Sequence, residues 1–133
     1  MLRKKILVID DDPVVAQSIH RFLRQVVPAS WEVAHETDPK VGLLRAVTDQ
    51  AIALCFVDLL MPALGGDQLI EMALRQRPDL RGRIAVCSGA MPNSDAEKRL
   101  FGELGCLRID KPFTLEELER FVWRFIAEEY DRA

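Results

Sequence analysis

The chain has 133 residues and a formal net charge of −3, and 49% of its residues are hydrophobic. This length fits one domain over residues 1–133, no apolar run approaches the ~20 residues that cross a bilayer, and no secretory signal follows the basic start. The weakly acidic balance lacks the basic excess of a nucleic-acid-binding domain. Three cysteines without close spacing argue against a disulfide framework or a zinc site and indicate buried thiols of a cytosolic protein.

In the first half of the chain, short apolar runs alternate with amphipathic stretches. The runs 6–9, 31–34 and 52–57 predict three strands. Asp12 before Pro13 and Asp38 before Pro39 are typical of helix starts, where an aspartate caps the helix and proline takes its first position. Helical spacing then predicts the inward faces: Val15, Ile19, Phe22 and Val26 for the first helix, and Val41, Leu44 and Val47 for the second.

The second half repeats this alternation. The runs 84–87 and 106–109 predict the last two strands, and a helix between the third and fourth strands ends near Pro78. Thr114 and Glu117 predict a capping box at the start of the last helix. The predicted inward faces are Leu69, Ile70 and Ala73 for the third helix, Ala96, Leu100, Phe101 and Leu104 for the fourth, and Leu115, Leu118, Val122, Phe125 and Ile126 for the fifth.

Five strand-then-helix units with continuously apolar strands predict an α/β fold, a parallel sheet covered by helices on both faces. Such sheets bind ligands at the carboxyl ends of their strands. Polar residues follow four of the five strands: Asp10, Asp11 and Asp12 the first, Asp58 the third, Ser88 the fourth, and Lys111 the fifth. We therefore expect three carboxylates (Asp10, Asp11 and Asp58), one hydroxyl and one ammonium group to meet at one edge of the sheet.

Such a cluster restricts the chemistry. Carboxylates a few ångströms apart repel each other, so a proton or a cation must be present, and oxygen-only ligands favour Mg²⁺ over zinc. A carboxylate beside Mg²⁺ can attack phosphorus and form an aspartyl-phosphate, while metal and ammonium stabilise charge on the transferring group. We interpret the cluster as a phosphoryl-acceptor site, with Asp12 as a helix cap because Pro13 follows it directly.

At these residues the sequence resembles the receiver domain of two-component response regulators. The resemblance covers essentially the whole chain, and four motifs in order carry it: Ile6-Leu7-Val8-Ile9-Asp10-Asp11, Val57-Asp58-Leu59-Leu60-Met61-Pro62 with Gly66, Ser88-Gly89, and Lys111-Pro112-Phe113. It implies a flavodoxin-like five-stranded sheet of order 2-1-3-4-5. It also implies a cis peptide between Lys111 and Pro112, which proline makes tolerable.

The resemblance further implies a role for each matching residue. Asp58 corresponds to the phospho-accepting aspartate, and Asp10 and Asp11 to the acidic pair that holds Mg²⁺. The main-chain carbonyl of Leu60 corresponds to a further metal ligand. Ser88 corresponds to the residue that turns toward the phosphoryl group, and Lys111 to the lysine that pairs with it.

Two features depart from the family pattern. Arg108 stands where an aromatic residue usually rotates inward, and because a guanidinium resists burial we expect Arg108 to stay outward and contact a partner. Leu60 and Ala90, two residues beyond Asp58 and Ser88, cannot orient an attacking water. Dephosphorylation is therefore expected to depend on a partner phosphatase or on back-transfer.

The implied partners are a sensor histidine kinase or phosphotransfer protein and an effector, reached through the surface of helix 4, strand 5 and helix 5, with a homodimer there as an open alternative. The start at Met1 leads us to expect an amino-terminal domain. Two rival functions remain open: a module that acts by protein contact alone, and a Mg²⁺-dependent phosphohydrolase. The hydrolase would need a second aspartate where Leu60 stands.

Two smaller expectations concern histidine and tryptophan. We expect His20 to be a solvated surface residue and His35, at the end of a strand, to have no partner of ligand type. Trp31 and Trp123 are expected to be packing residues, with an interface role for Trp123 left open.

Overall fold

The computed structural model describes residues 4–89 and 93–131, which form a sheet flanked by helices. The strands are β1 (Lys5–Ile9), β2 (Glu32–Glu36), β3 (Ile52–Val57), β4 (Ile84–Ser88) and β5 (Leu107–Asp110). The helices are α1 (Pro13–Val26), α2 (Pro39–Thr48), α3 (Gly66–Gln76), α4 (Ser94–Glu97) and α5 (Leu115–Asp131). A short 3₁₀ turn, Pro78–Leu80, precedes β4, and a π-helical segment, Lys98–Glu103, continues α4.

The five strands are parallel in the order β2-β1-β3-β4-β5, which confirms the predicted fold class and strand order. Alternate residues of β1 separate the two cores. Leu7 and Ile9 pack with α2, α3 and the segment after α4, whereas Ile6 and Val8 pack with α1 and α5. Both faces of the sheet are thus covered, and its carboxyl edge is left for the polar loops.

The predicted caps are confirmed, and they fix where the helices begin. The Asp12 carboxylate accepts hydrogen bonds from the amides of Val14 and Val15, at 2.9 and 3.3 Å. At α5, the Thr114 hydroxyl accepts from the Glu117 amide at 3.1 Å and the Glu117 carboxylate accepts from the Thr114 amide at 3.3 Å. These side chains satisfy helix N–H groups that have no partner within the helix.

The predicted inward face of α2 is wrong for Val41 and Leu44, whereas Val47 is partly buried against the core as predicted. Val41 and Leu44 are 41% and 60% exposed, and the buried residues are instead Pro39, Gly42, Leu43 and Ala46. A Cβ built on Gly42 would lie 2.9 Å from the side chain of Ile9, so the helix approaches the sheet at the one residue that has no side chain. Because Gly42 faces the sheet, the buried face of α2 is rotated away from Val41 and Leu44, the side of the helix that the spacing of the larger residues predicts.

The predicted fourth helix is only partly α-helical. Regular α structure stops at Glu97, and the next turn is wider, with the amide of Leu104 bonded to the carbonyl of Arg99 at 2.8 Å. Leu100 is buried as predicted, while Phe101 and Leu104 are partly buried against the same core.

Two long side chains link elements that are distant in sequence. The guanidinium of Arg77 is buried and donates to carbonyls at the end of α2 and start of β3, including Ala46 and Ile52 at 3.0 Å each. The indole N–H of Trp123, on the outer side of α5, donates to the carbonyl of Val26 at 2.8 Å and so fastens α5 to α1. None of the helices in the described ranges combines the length and apolarity that crossing a membrane requires.

Candidate functional site

The fold brings the predicted acidic residues together at the carboxyl edge of the sheet. Asp10, Asp11 and Asp58 each offer a carboxylate oxygen, and these three oxygens lie within 4.8 Å of one another. Asp10 is almost fully buried, with 3% exposure, whereas Asp11 is exposed and Asp58 lies between these extremes. Three negative charges at this spacing attract a cation, and an all-oxygen donor set suits Mg²⁺.

Lys111 brings a positive charge to this cluster. Its Nζ donates to Asp10 Oδ2 at 2.8 Å and lies 4.0 Å from Asp58 Oδ1. Burial acts to lower the pKa of Lys111, but the hydrogen bond to Asp10 and the nearby carboxylate charges outweigh it and hold that pKa above its ordinary value. Lys111 therefore stays charged, and three carboxylates against one ammonium leave a formal charge of −2.

Asp58 lies at the end of β3, where hydrogen bonds join it to the last residue of β1 and to the loop after β3. Its amide donates to the Ile9 carbonyl at 3.1 Å, and the Leu60 amide donates to Asp58 Oδ1 at 3.4 Å. Partial burial raises the pKa of Asp58; the charge of Lys111 acts against this, and that of Asp10 adds to it. A carboxylate that is poorly solvated and lies beside a second carboxylate is stabilised when it binds a cation or bonds to an electrophile.

Gly66 makes this arrangement sterically feasible. A Cβ on Gly66 would lie 2.2 Å from the carbonyl oxygen of Asp58 and 2.8 Å from Cα of Leu59. The Gly66 amide donates to the Leu59 carbonyl at 3.1 Å, which closes the loop after β3. Gly66 therefore serves the site through the absence of a side chain, because α3 begins in contact with the backbone of Asp58.

Ser88 and Lys111 are neighbours through the backbone. Ser88 is buried at the end of β4, and its carbonyl accepts from the Lys111 amide at 3.0 Å. The Lys111–Pro112 peptide bond is cis, as the resemblance implied. All four strand ends named by the sequence thus meet at one edge, with Leu60 exposed beside Asp58, while Ala90 lies outside the described residues.

Arg108 faces outward from β5, as predicted, but it has intramolecular partners. Its guanidinium contacts Glu97 of α4 at 2.6 Å and Asp110 at 2.7 Å, and it lies 5.3 Å from the ring centroid of Phe101. The arginine thus links β5 to α4. Its contact with another protein stays a prediction.

The expectation for the two histidines is wrong. His20 on α1 and His35 on β2 are both partly buried, and their Nδ1 atoms lie 2.7 Å apart. The residues are 15 positions apart on different elements, so no spacing pattern in the sequence links them. Only the packing of α1 beside the edge strand brings the two rings together.

Comparison with known proteins identifies the family. The model of the response regulator receiver domain family matches residues 6–122, and the chain therefore belongs to that family. It is a receiver domain of the two-component response regulator type, and the acidic cluster agrees with that assignment. No curated protein gives a significant match to the chain.

Solved structures share the fold. A CheY-like receiver domain protein from Methanospirillum hungatei is 21% identical, with 98% of each chain covered and a TM-score of 0.82. The chemotaxis protein CheY4 of Vibrio cholerae is 22% identical over 92% of this chain and 98% of its own, with a TM-score of 0.76. The receiver domain of a sensor histidine kinase from Pseudomonas aeruginosa, solved with magnesium coordinated in its active-site cleft, is 25% identical over 93% of this chain and 98% of its own, with a TM-score of 0.75.

Proposed function

We propose that this receiver domain accepts a phosphoryl group on Asp58 from a phosphohistidine of a sensor histidine kinase or phosphotransfer protein. The observation that carries the proposal is the convergence of Asp58 with two further carboxylates and the Lys111 ammonium at the carboxyl edge of the sheet. In the transfer, a carboxylate oxygen of Asp58 forms a bond to phosphorus as the phosphorus–nitrogen bond of the donor breaks. The imidazole keeps the electron pair of that bond and takes up a proton.

The neighbouring groups have distinct roles in this proposal. Lys111, with Nζ 4.0 Å from Asp58 Oδ1, neutralises charge on the arriving phosphoryl oxygens. Ser88, at the end of the adjacent strand, donates its hydroxyl to the phosphoryl group after transfer. Asp10 holds Lys111 in place through the 2.8 Å hydrogen bond, and the burial of Asp10 partly shields that contact from bulk water.

The same cluster fits Mg²⁺. The carboxylates of Asp10, Asp11 and Asp58 and the carbonyl of Leu60 would hold the ion, because a hard cation prefers oxygen ligands and the cluster has an excess of negative charge. When bound, Mg²⁺ supplies charge neutralisation for the phosphoryl oxygens. The magnesium in the related kinase receiver domain supports this assignment.

The domain acts on its partners through a change in the surface that it presents to them. We assign residues 1–133 to one cytoplasmic receiver unit that switches the surface of α4, β5 and α5, which an effector or a second copy of the chain would read. The Arg108 contact to Glu97 joins two of these elements and supports the assignment. Catalysis is confined to the domain's own phosphorylation and dephosphorylation; the latter is left to partners because the exposed Leu60 cannot position water.

Intact-mass spectrometry after incubation with Mg²⁺ and a small phosphodonor tests the proposal. We expect a gain of one phosphoryl group that is absent in Asp58→Asn and without Mg²⁺. Asp12→Asn is the matched control, because asparagine caps a helix as well as aspartate does, and it should accept the group normally. Steady phosphate release at enzymatic rates would instead indicate a phosphohydrolase, and no adduct would indicate a contact module.

A further inference from the structure

The two histidines between α1 and β2 form a second cluster of ligand atoms, separate from the acidic residues. Their Nδ1 atoms are 2.7 Å apart, and the rings are nearly perpendicular, with centroids 4.8 Å apart and an interplanar angle of 83°. At that separation one proton lies between two nitrogen atoms, so one ring donates and the other accepts. The lone pair of the acceptor therefore points at the Nδ1 atom of the other ring.

We propose that His20 and His35 form a site for a divalent transition-metal ion, bound through both Nδ1 atoms and preferring Cu²⁺ or Ni²⁺. The ion takes the place of the proton between the rings. That proton passes through water to Nε2 of the same imidazole, so both rings stay neutral and each contributes one lone pair to the ion. Imidazole nitrogen is a good ligand for these metals and a poor one for Mg²⁺.

The distance between the nitrogen atoms selects the metal. With metal–nitrogen bonds of about 2.0–2.1 Å, nitrogens 2.7 Å apart subtend about 80–85° at the ion. That angle is close to the right angle between neighbouring ligands in square-planar or octahedral complexes, which are typical of Cu²⁺ and Ni²⁺. Tetrahedral zinc would need a separation of about 3.3 Å. In the hydrogen-bonded pair the lone pairs point along the line between the nitrogen atoms, so each ring must turn by about 50° to face an ion at this separation. With the rings turned, the separation favours square-planar over tetrahedral coordination.

The surroundings leave the histidine site open to water and determine how strongly it binds a metal ion. Both histidines are partly exposed, and His20 borders an open cavity of about 390 Å³, also lined by Arg24 and Glu32. Water can complete the coordination shell. Arg24 carries a positive charge near His20, and this charge opposes a bound cation. Arg45, whose Nη1 lies 3.4 Å from the His35 carbonyl, adds a second positive charge, and Glu32 adds a negative one. The site thus depends on chelation by the two imidazoles.

Copper titration of the whole chain tests the proposal. With Mg²⁺ in large excess to occupy the acidic cluster, we expect one Cu²⁺ ion per chain, with electron paramagnetic resonance showing hyperfine coupling to two nitrogen atoms. His20→Gln and His35→Gln should each weaken binding at least about tenfold, and Arg24→Gln should tighten it several-fold. Zn²⁺ should bind more weakly than Cu²⁺ or Ni²⁺.

Several results would overturn the proposal. Copper binding that is unchanged in both histidine variants would place the ion elsewhere, for instance at the amino terminus or at the carboxylates. A resonance spectrum of the unaltered protein without two-nitrogen coupling would also place the ion elsewhere. This measurement does not depend on whether a substituted protein folds. Equal binding by the Arg24→Gln variant and the unaltered protein would contradict the assigned surroundings.

Discussion

At the scale of single residues, the site depends on one ammonium group among three carboxylates. Lys111 contacts the buried carboxylate of Asp10 directly and that of Asp58 at longer range. It thereby limits the repulsion that the folded state must tolerate, and its charge opposes that of a metal ion bound by the same carboxylates. The lysine and Mg²⁺ are consequently expected to oppose each other in the unphosphorylated domain.

Replacing the ammonium should therefore strengthen metal binding. In Lys111→Met the cluster loses its nearby positive charge, and we expect Mg²⁺ affinity to rise by about fivefold or more, since removing a neighbouring charge at a partly buried site is worth on the order of 1 kcal/mol. Isothermal titration calorimetry measures the change. Lys40→Met, on the exposed face of α2, is the control and should leave the affinity unchanged. A weaker affinity in Lys111→Met would contradict this account.

At the scale of elements, glycine decides how closely helices approach the sheet. Gly66→Ala would force a methyl group against the backbone of Asp58 and move the start of α3. We expect a loss of about 1–3 kcal/mol in the free energy of unfolding and slower phosphorylation. Chemical denaturation and the intact-mass assay measure both effects.

Gly102→Ala is the matched control for that substitution. A Cβ at Gly102 meets nothing within 4 Å, and alanine restricts the unfolded chain, so stability should be unchanged or higher by up to about 1 kcal/mol. Equal losses in the two variants would show that steric contact with the Asp58 backbone is not the cause.

The contact between β5 and α4 is a second element-scale feature. Arg108→Gln removes the ion pairs to Glu97 and Asp110, and we expect faster amide hydrogen exchange over residues 93–103, because the short α4 loses its ion pair with β5. Arg124→Gln removes an ion pair within α5, to Glu128, and serves as the control. The account fails if the two variants show the same exchange pattern.

The elements themselves were largely predictable from the sequence. Alternating apolar runs and Asp-Pro pairs report local preferences, and the order 2-1-3-4-5 followed from the resemblance. The inward face of α2 was not predictable, because it depends on the contact between Gly42 and Ile9. The His20–His35 pair and the burial of Arg77 could not be predicted for the same reason. Their partners are distant in sequence, and only packing brings them together.

At the scale of the whole molecule, the histidine pair predicts how stability depends on pH. Burial, with the charges of His35 and Arg24, lowers the pKa of His20 below its ordinary value near 6.5. The unfolded chain therefore takes up a proton at higher pH than the folded domain does, and the free energy of unfolding should fall as pH drops below about 6.5. Denaturation curves between about pH 7.5 and pH 5.5 measure the slope, and His20→Gln should flatten it. An unchanged slope in that variant would assign the effect to other groups.

The central claim is that Asp58 is the residue that carries the phosphoryl group. An aspartyl-phosphate is reduced by borohydride to homoserine, which peptide mass spectrometry can place in the sequence. After treatment with Mg²⁺ and a small phosphodonor, we predict homoserine at position 58 alone. Homoserine at position 10, 11 or 12, or a phosphorylated chain without homoserine at 58, would contradict the account.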